Sequence, residues 1–229
     1  MVLVVLMLLS CRNGVMENRE KILSREEMGR LVSRQDITGV RKERLNEEDE
    51  EGNTLLHVAV MTGNLELVEE LLKRKVRVNR ENNNGYTALK LSIIYEKEEI
   101  FKKLVKDRRV EIEREDKLGE TPLHVAAREG RVGMVEKLVK EGVDIDQEDK
   151  KGRTALNIGA REGKEEVCEL LIRMGANKEK RNKLGKRAIE EALSNEIVEM
   201  LEERDEDKTK EIPEELVEEK TKKRPIGIR

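Results

Sequence analysis

Along most of the chain, apolar residues recur three and four positions apart, the spacing of a helix that hides one face. They come in pairs of short segments. Leu123, Ala126 and Ala127 mark one such face and Val135, Leu138 and Val139 its companion; the companion pattern returns at Val68, Leu71 and Leu72 and at Val167, Leu170 and Leu171. Polar stretches separate the pairs, and in them glycines stand at 52, 85, 119, 152 and 185, in steps of 33, 34, 33 and 33 residues. Asp49, Asn82, Asp116, Asp149 and Asn182 precede these glycines by three positions. That combination suits a tight turn tip, where glycine meets no Cβ penalty. Thr54, Thr87, Thr121 and Thr154 follow the first four glycines and are placed to cap the next helix, and Pro122 sits where a missing amide hydrogen costs nothing. Leu56, Leu89, Leu123 and Leu156 come two residues later, and Gly142 and Gly175 close the second segments. The period predicts stacked units of one turn and two helices, each covering its neighbour's apolar flank.

The best-formed unit reads Gly119-Glu120-Thr121-Pro122-Leu123-His124-Val125-Ala126-Ala127, followed by Arg128-Glu129-Gly130. This is similar to the ankyrin repeat, and the resemblance implies an all-α solenoid of β-turn hairpin tips and antiparallel helix pairs. Five units are expected over residues 49–204. The second departs from the others, with Lys90 where the first and third have His57 and His124, Glu96 where they have Gly63 and Gly130, and one extra residue around 107–110. Its helix junction is expected to be looser. The fifth carries Arg187 and Ile189 at the Thr and Leu positions and adds Glu190 and Glu191, and its second helix, with Ile197, Val198, Met200 and Leu201, comes about three residues early. A polar outer face is what a terminal cap requires. Residues 12–48 are expected to supply an N-terminal helix, opened by the capping-box pattern Ser24-Arg25-Glu26-Glu27, as a degenerate unit shielding Leu55 and Val58. Residues 205–229 read as a charged tail, with a short helix at 214–220 left open.

Residues 1–9 are an unbroken apolar run, roughly half the ~20 residues a spanning helix needs. The run ends in Leu8-Leu9-Ser10-Cys11 before a polar Arg12-Asn13-Gly14. This resembles a bacterial lipoprotein signal over residues 1–11, which implies a lipid on Cys11 and attachment to a membrane. A nonpolar N-terminus docked on the first helix, in a cytoplasmic protein, is the alternative. Cys168 is the only other cysteine, so a lone Cys11 suits lipidation better than a disulfide.

Charged residues make up 42% of the chain, yet the net charge is only -3, which argues against a general polyanion binder. Aromatics are only Tyr86, Tyr95 and Phe101, so the core must be aliphatic. His57 and His124 lie two units apart and cannot share a metal; the resemblance implies that each bonds within its own turn. Cys168 is expected to be a partly exposed thiol rather than a nucleophile, since its unit has no histidine. No triad and no phosphate-loop pattern is present, so neither catalysis nor a cofactor is expected.

In ankyrin proteins the tips and the exposed parts of the first helices line a concave groove, and the resemblance carries that role to named positions. Glu50, Glu51, Asn53, Met61 and Thr62 fall to unit one, and Asn83, Asn84, Tyr86, Ile94 and Tyr95 to unit two. Unit three gives Lys117, Leu118, Glu120, Arg128 and Glu129, unit four Lys150, Lys151, Arg153, Arg161 and Glu162, and unit five Lys183, Leu184 and Lys186. The groove so drawn runs from acidic, through a tyrosine patch, to basic. A monomeric, non-catalytic protein-binding module follows, its partner held by Tyr86, Ile94 and Tyr95 and oriented by Arg128, Lys150, Lys151, Arg153, Arg161, Lys183 and Lys186. The alternative is a nucleic acid or anionic surface bound through Lys150, Lys151, Arg153, Lys183 and Lys186. The net charge and the absence of stacking aromatics there disfavour it.

Overall fold

The computed structural model describes residues 25–34, 37, 39–40 and 44–202. Helix α1 (Arg25–Arg34) and a 3-10 turn (Arg44–Asn46) precede four helix pairs. These are α2 (Leu55–Thr62) with α3 (Leu65–Lys73), α4 (Ala88–Ile94) with α5 (Glu98–Lys106), α6 (Pro122–Glu129) with α7 (Val132–Lys140), and α8 (Ala155–Arg161) with α9 (Glu165–Arg173). A 3-10 turn (Ala188–Glu191) and α10 (Asn195–Glu202) complete the described residues, in which no strand forms. Cys11 and the charged tail lie outside them.

Each first helix begins at the predicted threonine. In units one and three the histidine three residues on completes the cap: Thr54 N–H donates to His57 Nδ1 at 3.0 Å, and Thr121 N–H to His124 Nδ1 at 3.1 Å. With Nδ1 accepting, the ring proton sits on Nε2, which donates to the Arg80 carbonyl at 3.0 Å in one case and to the Arg153 carbonyl at 3.0 Å in the other. The His124 ring therefore reaches into the tip of unit four and the His57 ring reaches the segment that enters the tip of unit two, so each ties its own turn to the next hairpin, beyond the role expected of it. Each end of the first helix turns through a residue with positive φ, namely Gly63, Gly130 and Gly163.

In unit two Glu96 takes that left-handed conformation itself, with φ 53°. Its junction is closed rather than loose, because Lys97 N–H donates to the Ser92 carbonyl at 2.8 Å, as Asn64 N–H does to Ala59 at 2.9 Å. The extra residue of this unit is absorbed in the loop after α5, where Arg109 Nη2 donates across to the Leu72 carbonyl at the end of α3, at 2.9 Å.

The core is a column of leucines in step with the sequence period. Leu71, Leu104, Leu138 and Leu171 are fully buried, and Leu56, Leu89, Leu123 and Leu156 run beside them. Burying each side chain contributes roughly 1.5–3 kcal/mol, and none could be covered within one unit. Met28 and Val32 of α1 are buried against α2. Asn46 Oδ1 accepts from Arg77 N–H at 2.7 Å, a strap that returns at Asn79 to Glu111 (3.0 Å), Glu113 to Asp144 (2.8 Å) and Asp146 to Asn177 (2.9 Å). At the other end the first helix of unit five is cut to a 3-10 turn, as Leu193 N–H donates back to the Ala160 carbonyl at 3.0 Å.

Cys168 corrects the sequence reading. Its thiol is fully buried, because Gly159 of the facing α8 leaves room: a Cβ on Gly159 would stand 3.3 Å from the sulfur. Burial pushes the thiol pKa up to about 12, so Cys168 is an inert filler.

Candidate partner-binding edge

The hairpin tips share one construction. The Asp or Asn three residues before each glycine turns its Oδ1 inward to accept two backbone N–H groups. Asp49 takes those of Glu51 and Asn53, Asn82 those of Asn84 and Tyr86, Asp116 those of Leu118 and Glu120, Asp149 those of Lys151 and Arg153, and Asn182 those of Leu184 and Lys186. Every such contact lies between 2.8 and 3.1 Å. The tip acids are thus committed to their own turns, which leaves the neighbouring side chains on the outside.

Successive tips are tied by a backbone rung: Asn83 N–H donates to Glu51 O at 3.0 Å, Lys150 N–H to Leu118 O at 3.0 Å, and Lys183 N–H to Lys151 O at 2.9 Å. Between units two and three no such rung forms among the described residues; Lys117 Nζ donates to Asn83 O at 3.4 Å instead. The glycines report the same gap independently. A Cβ on Gly52, Gly119 or Gly152 would lie 2.8, 2.7 or 3.0 Å from a backbone nitrogen of the next tip, whereas one on Gly85 would find its nearest atom 3.7 Å away. At this parted junction lies a cleft of about 300 Å³, walled by Tyr86, Ile94, Lys117, Leu118, Arg128 and Glu129. Tyr86 and Ile94 are partly buried and Leu118 is 58% exposed. Tyr95 is outside the cleft, exposed beside the α4 to α5 turn.

Below the cleft an ionic network joins units two, three and four. Lys90, at the histidine position of unit two, is buried, and its Nζ lies 3.0 Å from Asp116 Oδ2 and donates to the Glu120 carbonyl. Burial holds the Lys90 ammonium below its ordinary pKa, with Asp116 opposing. The buried Glu120 carboxylate accepts from Arg128 and, at 3.3 Å, from Arg153, which also pairs with Asp149 Oδ2 at 2.6 Å. Of the basic residues expected to face a partner, Arg128 and Arg153 therefore act largely within the chain. Arg161 is exposed and 3.6 Å from Glu162. Lys150, Lys151, Lys183 and Lys186 are exposed and carry no ion pair among the described residues. The sequence did not show this division, because Glu120, which holds both arginines, comes from another turn for Arg128 and from another unit for Arg153; Asp149 and Glu129 are local partners that hold them as well.

Comparison with known proteins agrees with this architecture. The sequence matches the family model described as ankyrin repeats (3 copies), at residues 6–116, 98–182 and 123–211. The chain belongs to the ankyrin repeat family. Among solved structures it is similar to the crystal structure of the ankyrin repeat domain of Bcl-3, titled a unique member of the IkappaB protein family, with TM-score 0.68 over 87% of this chain and 90% of that one. At 22% identity that likeness shows the fold. No curated protein matches the sequence. Ankyrin repeats generally mediate protein–protein interaction and are typically non-catalytic scaffolds.

Proposed function

We propose that this ankyrin protein is a non-catalytic module that holds a protein partner along its hairpin-tip edge, with an apolar side chain of the partner seated in the cleft between units two and three. The observation that carries the reading is the parted junction. It is the one break among the tip-to-tip spacings described, and the apolar surfaces of Tyr86, Ile94 and Leu118 meet there. Tyrosine beside aliphatic surface, ringed by charge, is the usual composition of a binding hot spot. The charged ends of the edge then fix the partner's register and speed its approach. Capture from the native source should recover the partner with wild type and Tyr95→Ala. It should fall about tenfold or more with Tyr86→Ala or Leu118→Ala, each checked for folding by circular dichroism. Equal recovery with all four proteins would remove the cleft as anchor.

The lipid on Cys11 rests on the sequence alone and is proposed on that basis. Metabolic labelling with a fatty-acid analogue should mark the wild type and not Cys11→Ala; an unlabelled wild type would remove the anchor.

A further inference from the structure

The segments that carry the chain from a second helix to the next hairpin tip differ in charge from unit to unit. Residues 75–80 leave α3 and residues 109–114 leave α5; their counterparts after α7 and α9 are residues 142–147 and 175–180. The strap hydrogen bonds place Arg77 level with Glu111, Asp144 and Asn177. Of these four segments only the first is purely basic, with Lys75, Arg77 and Arg80. Between it and residues 109–114 lies a hollow of about 500 Å³, walled by Lys75, Arg77, Arg80, Arg109 and Arg114, and no acidic residue lines it. That volume is within the roughly 300–1,000 Å³ of sites that take a small molecule. The hollow shares no residue with the cleft between the tips of units two and three, so it stands or falls apart from the partner reading.

The acids of these two segments and their flanks are each committed. Glu70 pairs with Arg74 at 3.0 Å, Glu48 with Arg80, Asp107 with Arg109 at 2.6 Å, and Glu81 and Glu111 with Arg114 at 2.8 and 2.7 Å. Glu113 and Glu115 turn away to the segment after α7, accepting from Asp144 N–H at 2.8 Å and from Gln147 Nε2 at 3.0 Å. Arg109 spends its guanidinium on Asp107 and on the Leu72 and Val76 carbonyls, at 2.9 and 3.4 Å, which ties the two segments together. Arginine has five donor hydrogens. Arg80 gives Nη2 to Glu48, and Arg114 gives Nε and Nη1 to Glu81 and Glu111, so Arg80 Nε and Nη1 and Arg114 Nη2 are uncommitted among the described residues. Lys75 and Arg77 are exposed and carry no ion pair among those residues. Lys75 also has φ 56°, in the left-handed region, where Gly142 and Gly175 stand at 89° and 94° in the corresponding turns. Glycine meets no Cβ penalty there and lysine does, so the ammonium is kept at the hollow against the preference of its own backbone.

We propose that this hollow is a phosphate site, in which the phosphomonoester group of a lipid headgroup or of a small soluble ester sits among Lys75, Arg77, Arg80 and Arg114. Guanidinium forks match phosphate oxygens two at a time. A phosphomonoester brings a charge of about -2 to the two cations that have no carboxylate, and three acceptor oxygens for the remaining N–H groups. A carboxylate would bring half that charge.

Isothermal titration of the full chain with inorganic pyrophosphate, in about 0.15 M NaCl, tests the site, and saturable binding is expected. Lys75→Gly is the discriminating variant, because glycine suits the backbone there. It should melt no earlier than wild type while its pyrophosphate affinity falls about tenfold, and Arg77→Ala, whose side chain holds nothing in the fold, should lose about as much. A lysine with a structural role alone would move the melting temperature and leave the affinity where it was. Absence of saturable binding overturns the proposal, as does unchanged affinity in both variants. So does an equal loss with Lys150→Ala and Lys183→Ala, which would put the anion on the tip edge. Sedimentation with phosphatidylcholine vesicles, with and without about 20% phosphatidic acid, separates the two sources, using Cys11→Ala protein so that no acyl chain contributes. Binding to the anionic vesicles that pyrophosphate competes away and Lys75→Gly weakens makes the phosphate a headgroup; pyrophosphate binding without vesicle binding makes it a soluble ester. A 15-nucleotide DNA that binds more tightly than pyrophosphate and is lost in the same variants would make this face a nucleic-acid contact and sink the phosphate site.

Discussion

At the scale of single residues, one helix position explains much of how the units are joined. His57 and His124 accept a backbone N–H at Nδ1 and donate from Nε2 to a carbonyl in or just before the next hairpin tip, so protonation would break the cap. Burial holds both rings below the ordinary pKa of 6.5, against the opposing pull of Asp49 and Asp149. As pH falls through 6.5 the unfolded chain takes up protons that the folded chain refuses, so stability falls with pH over that interval. The unfolding free energy from denaturant titrations should drop between pH 7 and 5, by at most about 1.4 kcal/mol per pH unit for each ring. His57→Asn with His124→Asn should flatten the profile over that interval; an unchanged slope would assign the effect elsewhere. Unit four has already made that exchange. Asn157 accepts from Thr154 N–H at 3.0 Å, but its buried Nδ2 has no partner. By the repeat step from Arg153, a histidine there would donate to the Lys186 carbonyl. Asn157→His should add about 1 kcal/mol, a melting temperature higher by roughly 2–4 °C, and a lower Tm would refute the equivalence.

Among the elements, the helix pairs are alike in their hydrogen bonds and differ in strain. Three first helices end on glycines with φ of 65–76°, while the second ends on Glu96 with φ 53°. A side chain in that region costs roughly 1–2 kcal/mol, and the Arg131 contact of Glu96 is too exposed to offset much of it. Glu96→Gly should therefore stabilise the protein by up to about 1 kcal/mol, read as a later thermal midpoint with unchanged helix content. A loss of stability would show that Glu96 contributes more through Arg131 than its backbone costs. The expectation of a loose junction was wrong for an identifiable reason: the hydrogen bonds that close the turn are backbone bonds, and they form at Glu96 as they do at glycine. Sequence departure there raised the energy and left the geometry intact.

Across the whole molecule, Glu120 is the residue on which three units converge, through Lys90 to its carbonyl and Arg128 and Arg153 to its carboxylate. Removing one member of a buried ionic group leaves the others desolvated and unpaired, which costs roughly 3–5 kcal/mol. The lower end applies to Glu120→Gln, since Arg128 keeps Glu129 and Arg153 keeps Asp149. A Tm lower by about 6–12 °C with a broader transition is expected, because a one-dimensional array loses cooperativity when an inner interface weakens. A sharp transition at the wild-type temperature would mean that the network adds little to the junction.

What the sequence determined by itself was everything local or periodic: the glycine comb, the Asx residues folded into their own turns, the threonine caps, and the leucine column that a repeated period must stack. These need only a residue and neighbours within a few positions, or the recurrence of one unit. Only the tertiary structure decided which charges remain outside, that Cys168 is hidden behind Gly159, and that the tips part between units two and three. Each of those depends on what stands opposite from an adjoining helix or unit. Electrostatic and packing energies are set by distance through space, and spacing along the chain carries that distance only where the units are identical.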